Sequence, residues 1–169
     1  RYLDGEKFLL AGQVRELKIA DSLSAKTTVE EVGQLLIVKR PRGQASDIQL
    51  AIRKFYEQKA KLELGELLAE MAEEMKLYPK KVKFRSAKAQ WGSCSSVGTV
   101  TLNWRLVVYP RELWKYVIVH ELAHLIHPNH SRAFWQLVEL YCPNYKTSRR
   151  YLADHHYEVD FLGKKSDLY

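Results

Sequence analysis

The sequence predicts an α+β fold, on three observations. Short runs with strand character fill residues 1 to 40, cut by Gly12, Asp21-Ser22 and Gly33. Apolar residues then recur at helical spacing from Ile48 to Met75. After a second strand-like region, helical spacing returns beyond Pro110. With 169 residues the chain can build its own core. The expectation is a single domain over 1–169, with a strand-rich part (1–43) and a larger part (44–169) holding a long helix, a hairpin and the remaining helices.

Lys7 to Ala11, Val14 to Ile19 and Gln34 to Arg40 read as strands, and Pro41-Arg42-Gly43 closes that region. Asp47 fits an N-cap. Ile48, Ile52, Phe55, Leu62, Leu67, Leu68, Met71 and Met75 follow, as one long helix or two broken near Gly65, ending before Pro79. Val82 and Phe84 alternate with Lys81, Lys83 and Arg85, which predicts a strand. Residues 89 to 107 read as a hairpin turning at Ser95-Ser96-Val97-Gly98. In its return strand, Thr99 to Val107, one face carries Val100, Leu102, Trp104 and Leu106, and the other Thr101, Asn103 and Arg105.

Pro110 and Glu112 suit the first turn of a helix that continues through Leu125 and is stopped by Pro128. Ser131 can cap a second helix through Phe134, Trp135, Val138 and Tyr141, ending before Pro143. A shorter helix fits Ser148 to His155.

Composition excludes several classes. No run of 18 apolar residues occurs, so no membrane span is expected. Ten Tyr, five Phe and four Trp argue against disorder. Two cysteines, Cys94 and Cys142, cannot form a disulfide framework, and no apolar signal region opens the sequence. A reducing, cytoplasmic setting is therefore expected. The net charge of +7 permits an anionic partner such as nucleic acid. The densest basic clusters are Lys39-Arg40-Pro41-Arg42 and Lys80-Lys81 with Lys83, Arg85 and Lys88. They lack the interleaved aromatics of a stacking platform.

All six histidines lie between positions 120 and 156. His120-Glu121-Leu122-Ala123-His124 fits H-E-x-x-H on a predicted helix. Residues four apart on a helix differ by about 40° in azimuth and about 6 Å in height, so two imidazoles can converge on one ion. Glu121, rotated by about 100°, can reach a water at that ion without being a ligand. In a shuffled chain of this composition the motif would arise roughly once in 70 trials. The surrounding helix is very apolar, and burying His, Glu and His there without partners would be costly. A metal supplies the missing partner, and a histidine set favours Zn2+, with other divalent transition metals open. A third ligand should come from off the helix axis. His127 shares the stripe of His120 and His124, but three collinear residues span about 10 Å and cannot all reach one ion. His130, just past Pro128-Asn129, is favoured as the third ligand, with His127 the alternative and His155 and His156 further candidates.

Four blocks carry a family resemblance: Trp91-Gly92-Ser93-Cys94-Ser95, Leu102-Asn103-Trp104-Arg105-Leu106, Val119 to His124, and Asn129-His130-Ser131 with Phe134-Trp135. Their order and spacing resemble the YgjP-like metallopeptidase domain. The resemblance implies a zincin-like fold related to SprT-like and Spartan-type proteases. It implies metal ligands at His120, His124 and His130, with Glu121 catalytic. It also implies a substrate-binding strand, Thr99 to Arg105, near the site, with Asn103 and Arg105 as candidate substrate contacts. Asn103 facing water is the competing reading. Cys94 reads as a small buried thiol.

The expected activity is that of a zinc peptidase acting on peptide or unfolded protein, with Glu121 shuttling the proton. Tyr145, Tyr151, His155 and Arg105 are open as the oxyanion donor. Two alternatives remain: a metal-dependent nucleotide phosphoanhydride hydrolase and a DNA-associated protease of the Spartan type. No Gly-rich phosphate loop and no carboxylate cluster supports the first, and no DNA-reading element the second.

Overall fold

The computed structural model describes residues 2–42, 47–87 and 90–155. The boundary read at 43/44, Lys88 and His156 lie outside the described residues. The architecture is α+β, with two small mixed sheets and four α-helices among the described residues.

The first sheet has the order β1-β2-β4-β3. β1 (Lys7–Leu10) turns through Ala11 and Gly12 into β2 (Gln13–Ser22), pairing antiparallel with Lys7 opposite Glu16. β4 (Leu35–Pro41) lies parallel to β2, and β3 (Thr28–Val32) caps the edge antiparallel to β4. β3 is an addition to the strands that hydropathy predicts. Its inward positions are Val29 and Glu31, so only one of the two is apolar. Arg15 Nε donates to Glu31 Oε1 at 2.8 Å, and Lys59 Nζ lies 2.8 Å from Oε2.

α1 (Ile48–Met75) is one helix. Asp47 caps it as expected, its side chain accepting from the Leu50 amide at 2.9 Å. It runs unbroken through Gly65 because the buried stripe of Ile52, Tyr56, Ala60, Leu64, Leu68 and Met71 continues past it. That packing outweighs the ~1 kcal/mol helix cost of a glycine. Tyr56 Oη donates to the Leu9 carbonyl at 2.8 Å and ties the helix to the first sheet.

The second sheet has the order β5-β7-β6. β5 (Lys81–Arg85) is parallel to β7 (Thr99–Asn103), and β6 (Gly92–Cys94) is antiparallel to it. The return strand is shorter than its alternation suggests. It ends at Asn103, and Trp104–Val108 forms a 3-10 helix. Asn103 Oδ1 accepts from the Arg105 amide at 3.1 Å and so starts that helix.

The 3-10 helix links the two sheets. Ala11 and Gly12 donate their amides to Val107 and Val108 carbonyls, each at 2.8 Å. Gly12 has φ +74°, and a Cβ there would lie 2.5 Å from Pro110 Cγ, so only glycine fits. α2 (Arg111–Ala123) starts at this junction. α3 (Arg132–Tyr141) is capped by Ser131, and α4 (Tyr145–Asp154) starts slightly earlier than its sequence signal. No helix among the described residues is long and apolar enough to cross a membrane.

Burial raises the Glu31 carboxyl, but hydrogen bonds from Lys59 and Arg15 outweigh it and hold the group below its usual value of 4.5. A lowered acid contributes stability above its unfolded value and loses it as pH falls through the folded one. Glu31→Gln should destabilise the protein by about 1–2 kcal/mol at pH 7 in urea unfolding. The gap to the wild type should close as pH falls below the ordinary glutamate value of 4.5.

Candidate metal centre

α2 ends sooner than Pro128 requires. Its last helical residue is Ala123, and His124 is the C-cap. Leu125, Ile126 and His127 donate their amides back to Leu122 and Ala123 in a tight turn. This turn, begun before Pro128, redirects the chain so that His130 returns to His120 and His124. It also takes His127 off the stripe it would share on a continued helix.

His120, His124 and His130 form a cluster, with one ring nitrogen from each within 4.8 Å of the others. His120 Nε2 and His130 Nε2 are 3.1 Å apart. The His124 Nδ1 lies 3.0 Å from the His127 carbonyl oxygen, an acceptor, so Nδ1 is the donor there and Nε2 is the nitrogen left for the cluster. His127 thus serves through its backbone. Phe134 supports all three rings, with centroid distances of 4.9, 4.6 and 4.8 Å to His120, His124 and His130. Trp135 stacks on His130 at 5.6 Å and on Tyr145 at 5.0 Å.

The donor set fits a borderline-soft divalent ion. Burial, then the neighbouring His124 and His130, lowers the His120 pKa to about 3, and burial lowers that of His130 too, so both rings are neutral at neutral pH. His120 Nδ1 is buried without a partner among the described residues. That nitrogen is not the one at the cluster: His120 Nε2 faces His130 Nε2 at 3.1 Å, and two neutral imidazole nitrogens that close are suited to a shared cation. These three histidines could hold one ion.

Glu121 is buried and stays outside the imidazole set. Burial raises its pKa to about 8. It opens into a cavity of about 330 Å³ between α2, α4 and the start of β6, with Trp91, Val117 and Leu152 among its walls. Tyr116, one turn before His120, and Arg149 of α4 also line it. Burial raises the Tyr116 pKa to about 12, so its hydroxyl stays protonated. Neither residue carries a sequence motif; α2 and α4 must be packed together before they meet.

The other expected residues have different places. Asn103 is buried rather than open: its Nδ2 donates to the Ala87 and Gln90 carbonyls at 2.8 and 3.1 Å. Arg105 reaches Ser86 Oγ and lies 4.5 Å over Trp104. Tyr145 is buried under Trp135, Tyr151 stacks on His155 at 3.9 Å, and the His155 Nδ1 faces the Tyr151 carbonyl. Cys94 and Cys142 are free thiols, Cys94 half-buried. Thr99 to Arg105 offers no open edge, because β7 is the central strand of its sheet. The edge beside Glu121 is β6. Asn103 and Ser95 bond across to Trp91 and Thr99, so the alternation turns the backbone groups of Gly92 and Cys94 away from β7.

The family model described as YgjP-like, metallopeptidase domain, matches residues 1–155. Among solved structures the chain is similar to the metallopeptidase zymogen of Pyrococcus abyssi abylysin. That match has 27% identity and a TM-score of 0.49, covering 54% of this chain and 94% of that one. No curated protein matches.

Gly92 packs tightly against Glu121. A Cβ on Gly92 would lie 2.7 Å from both Cγ and Oε1 of Glu121. Gly92→Ala should therefore push the carboxylate aside and cost about 1–3 kcal/mol of stability by overpacking, read by thermal unfolding. The same substitution at Gly65, where the nearest atom is Phe84 Cζ at 3.9 Å, should cause no clash.

Proposed function

We propose that this chain, which belongs to the YgjP-like metallopeptidase family, is a zinc peptidase that cleaves extended polypeptide. One observation carries the reading: three imidazole nitrogens gather at one place with the Glu121 carboxyl beside them and outside the set. His120, His124 and His130 would hold the ion, most simply through Nε2 of His124, whose Nδ1 is engaged. Zinc there supplies Lewis acidity, which lowers the pKa of water and polarises a carbonyl.

The chain's own residues supply the rest. With a cation held by the histidines, the ionised form of Glu121 would be favoured against its burial, and the carboxylate then accepts the proton of the attacking water and delivers it to the departing amine. Gly92 leaves the room its carboxylate needs. The outward backbone groups of Gly92 and Cys94 pair with a substrate strand, which must be extended to do so. Asn103 contributes indirectly by fixing the loop that precedes β6 at Ala87 and Gln90. The free thiols suit the reducing, cytoplasmic setting that the cysteine count suggests. Lys39 and Arg40 pair with Glu30 and Asp21, which weakens the case for a nucleic-acid surface there.

Zinc-loaded protein should cleave casein-like unfolded chains, stop on addition of a chelator and recover with zinc. Glu121→Gln should keep the metal and lose about 10²–10⁴ in turnover. His124→Ala should lose metal and activity together. Equal metal loss in both variants would make Glu121 a ligand rather than a base. Intact casein beside split nucleoside triphosphates, the latter abolished by Glu121→Gln, would replace the peptidase with a phosphoanhydride hydrolase.

A further inference from the structure

The cavity beside Glu121 is large enough for a side chain or a chain end, at about 330 Å³. Most of its walls are apolar, and two hydrogen-bond donors stand out on them. Arg149 is held at the cavity by its contact with Trp135, 5.1 Å from its guanidinium carbon to the ring centroid. Among the described residues, no carboxylate pairs with Arg149, whereas its neighbour Arg150 sits 3.7 Å from Asp154. The Tyr116 hydroxyl likewise has no hydrogen-bond partner among them. The one carboxylate in the wall is Glu121, which the proposed reaction uses.

We infer that this cavity is a carboxylate subsite, in which Arg149 and Tyr116 bind an anionic group of the substrate next to the scissile bond. The inference rests on the peptidase reading for its substrate and adds the substrate's charge. A guanidinium with an open fork is matched to a carboxylate, and a neutral phenol adds a third donor. A divalent ion and Arg149 together outweigh the Glu121 charge, so the cavity favours an anion over a cation. The apolar walls accept the methylenes that lead to a Glu side chain or to a C-terminal residue. Trp135 fixes the guanidinium in advance, so little side-chain entropy is lost when the anion arrives.

Binding is best read without turnover, on the full-length Glu121→Gln protein with zinc added. Fluorescence polarisation compares matched peptides. One pair carries Glu or Gln beside the scissile position, and the other ends in a free carboxylate or an amide. One acid should bind about tenfold more tightly than its neutral partner, and the pair that shows it identifies the source of the anion. Arg149→Met keeps the stem on Trp135 and should reduce that ratio to near one, while Arg149→Lys should retain part of it. Equal affinity for acid and neutral peptides in both pairs would overturn the inference. So would a preference that survives Arg149→Met, since the acid would then be binding the metal. If wild-type protein cleaves no peptide yet the Arg149-dependent preference is present, the peptidase reading fails and the carboxylate subsite stands.

Discussion

A straight helix can aim two imidazoles four residues apart at one point, and a third on the same stripe is too far along the axis. The rest of the structure follows from that limit. α2 must stop so that a third ring can come back, and it stops at Ala123, with His124 as its last, capping residue. The His127 carbonyl then faces His124 Nδ1, so the turn that returns the chain also fixes a ring nitrogen. By sequence His127 competes for the third place in the cluster; in space it supports the cluster through its carbonyl. The tight turn needs a rigid origin, and α2 has one. Pro110 at its start is packed against Gly12 of the first sheet, and the amides of Ala11 and Gly12 hold the 3-10 helix that precedes it.

A second constraint is the distance between α2 and β6. Glu121 packs directly against the backbone of Gly92, where any side chain would collide with the carboxylate. The Glu121 carboxyl and the strand edge are therefore set relative to one another by van der Waals contact rather than by a hydrogen bond. Such contact is stiff, and a carboxylate so placed cannot swing toward the strand. In the proposed reaction the scissile carbonyl is positioned by β6 and the proton acceptor by α2. One glycine therefore controls the separation that matters for proton transfer.

What was legible in the sequence divides along physical lines. The histidine spacing and its apolar helix predicted the cluster, because four-residue spacing has one geometric meaning on a helix. Asp47 and Ser131 marked their helix starts for the same local reason. β3 was not legible, since only Val29 of its two inward side chains is apolar, and hydropathy does not count the other, the carboxylate of Glu31, as core. The end of β7 was hidden because Trp104 and Leu106 continue the alternation, although burial of Leu106, Val107 and Val108 in succession belongs to a 3-10 helix. Asn103 held the missing signal: it is a capping residue, and its buried amide serves the backbone rather than the solvent face. Leu125 and Ile126 likewise suggested more helix, yet Ile126 is exposed. Tyr116 and Arg149 are 33 positions apart on different helices, and no local pattern joins them.

The aromatic stack explains why those two helices act together. His130 is an exposed loop residue, and a loop imidazole left to itself samples several rotamers. Trp135 stacks on one side of it, Tyr145 of α4 stacks on Trp135 in turn, and Phe134 closes the contact with the other two rings. α4 thereby restrains the third ring of the cluster without touching it. The same helix carries Arg149, which lies over the same Trp135. A shift of α4 would therefore move the cation and loosen His130 at once. The geometry of the histidine cluster and the place of Arg149 are thus coupled through a single indole.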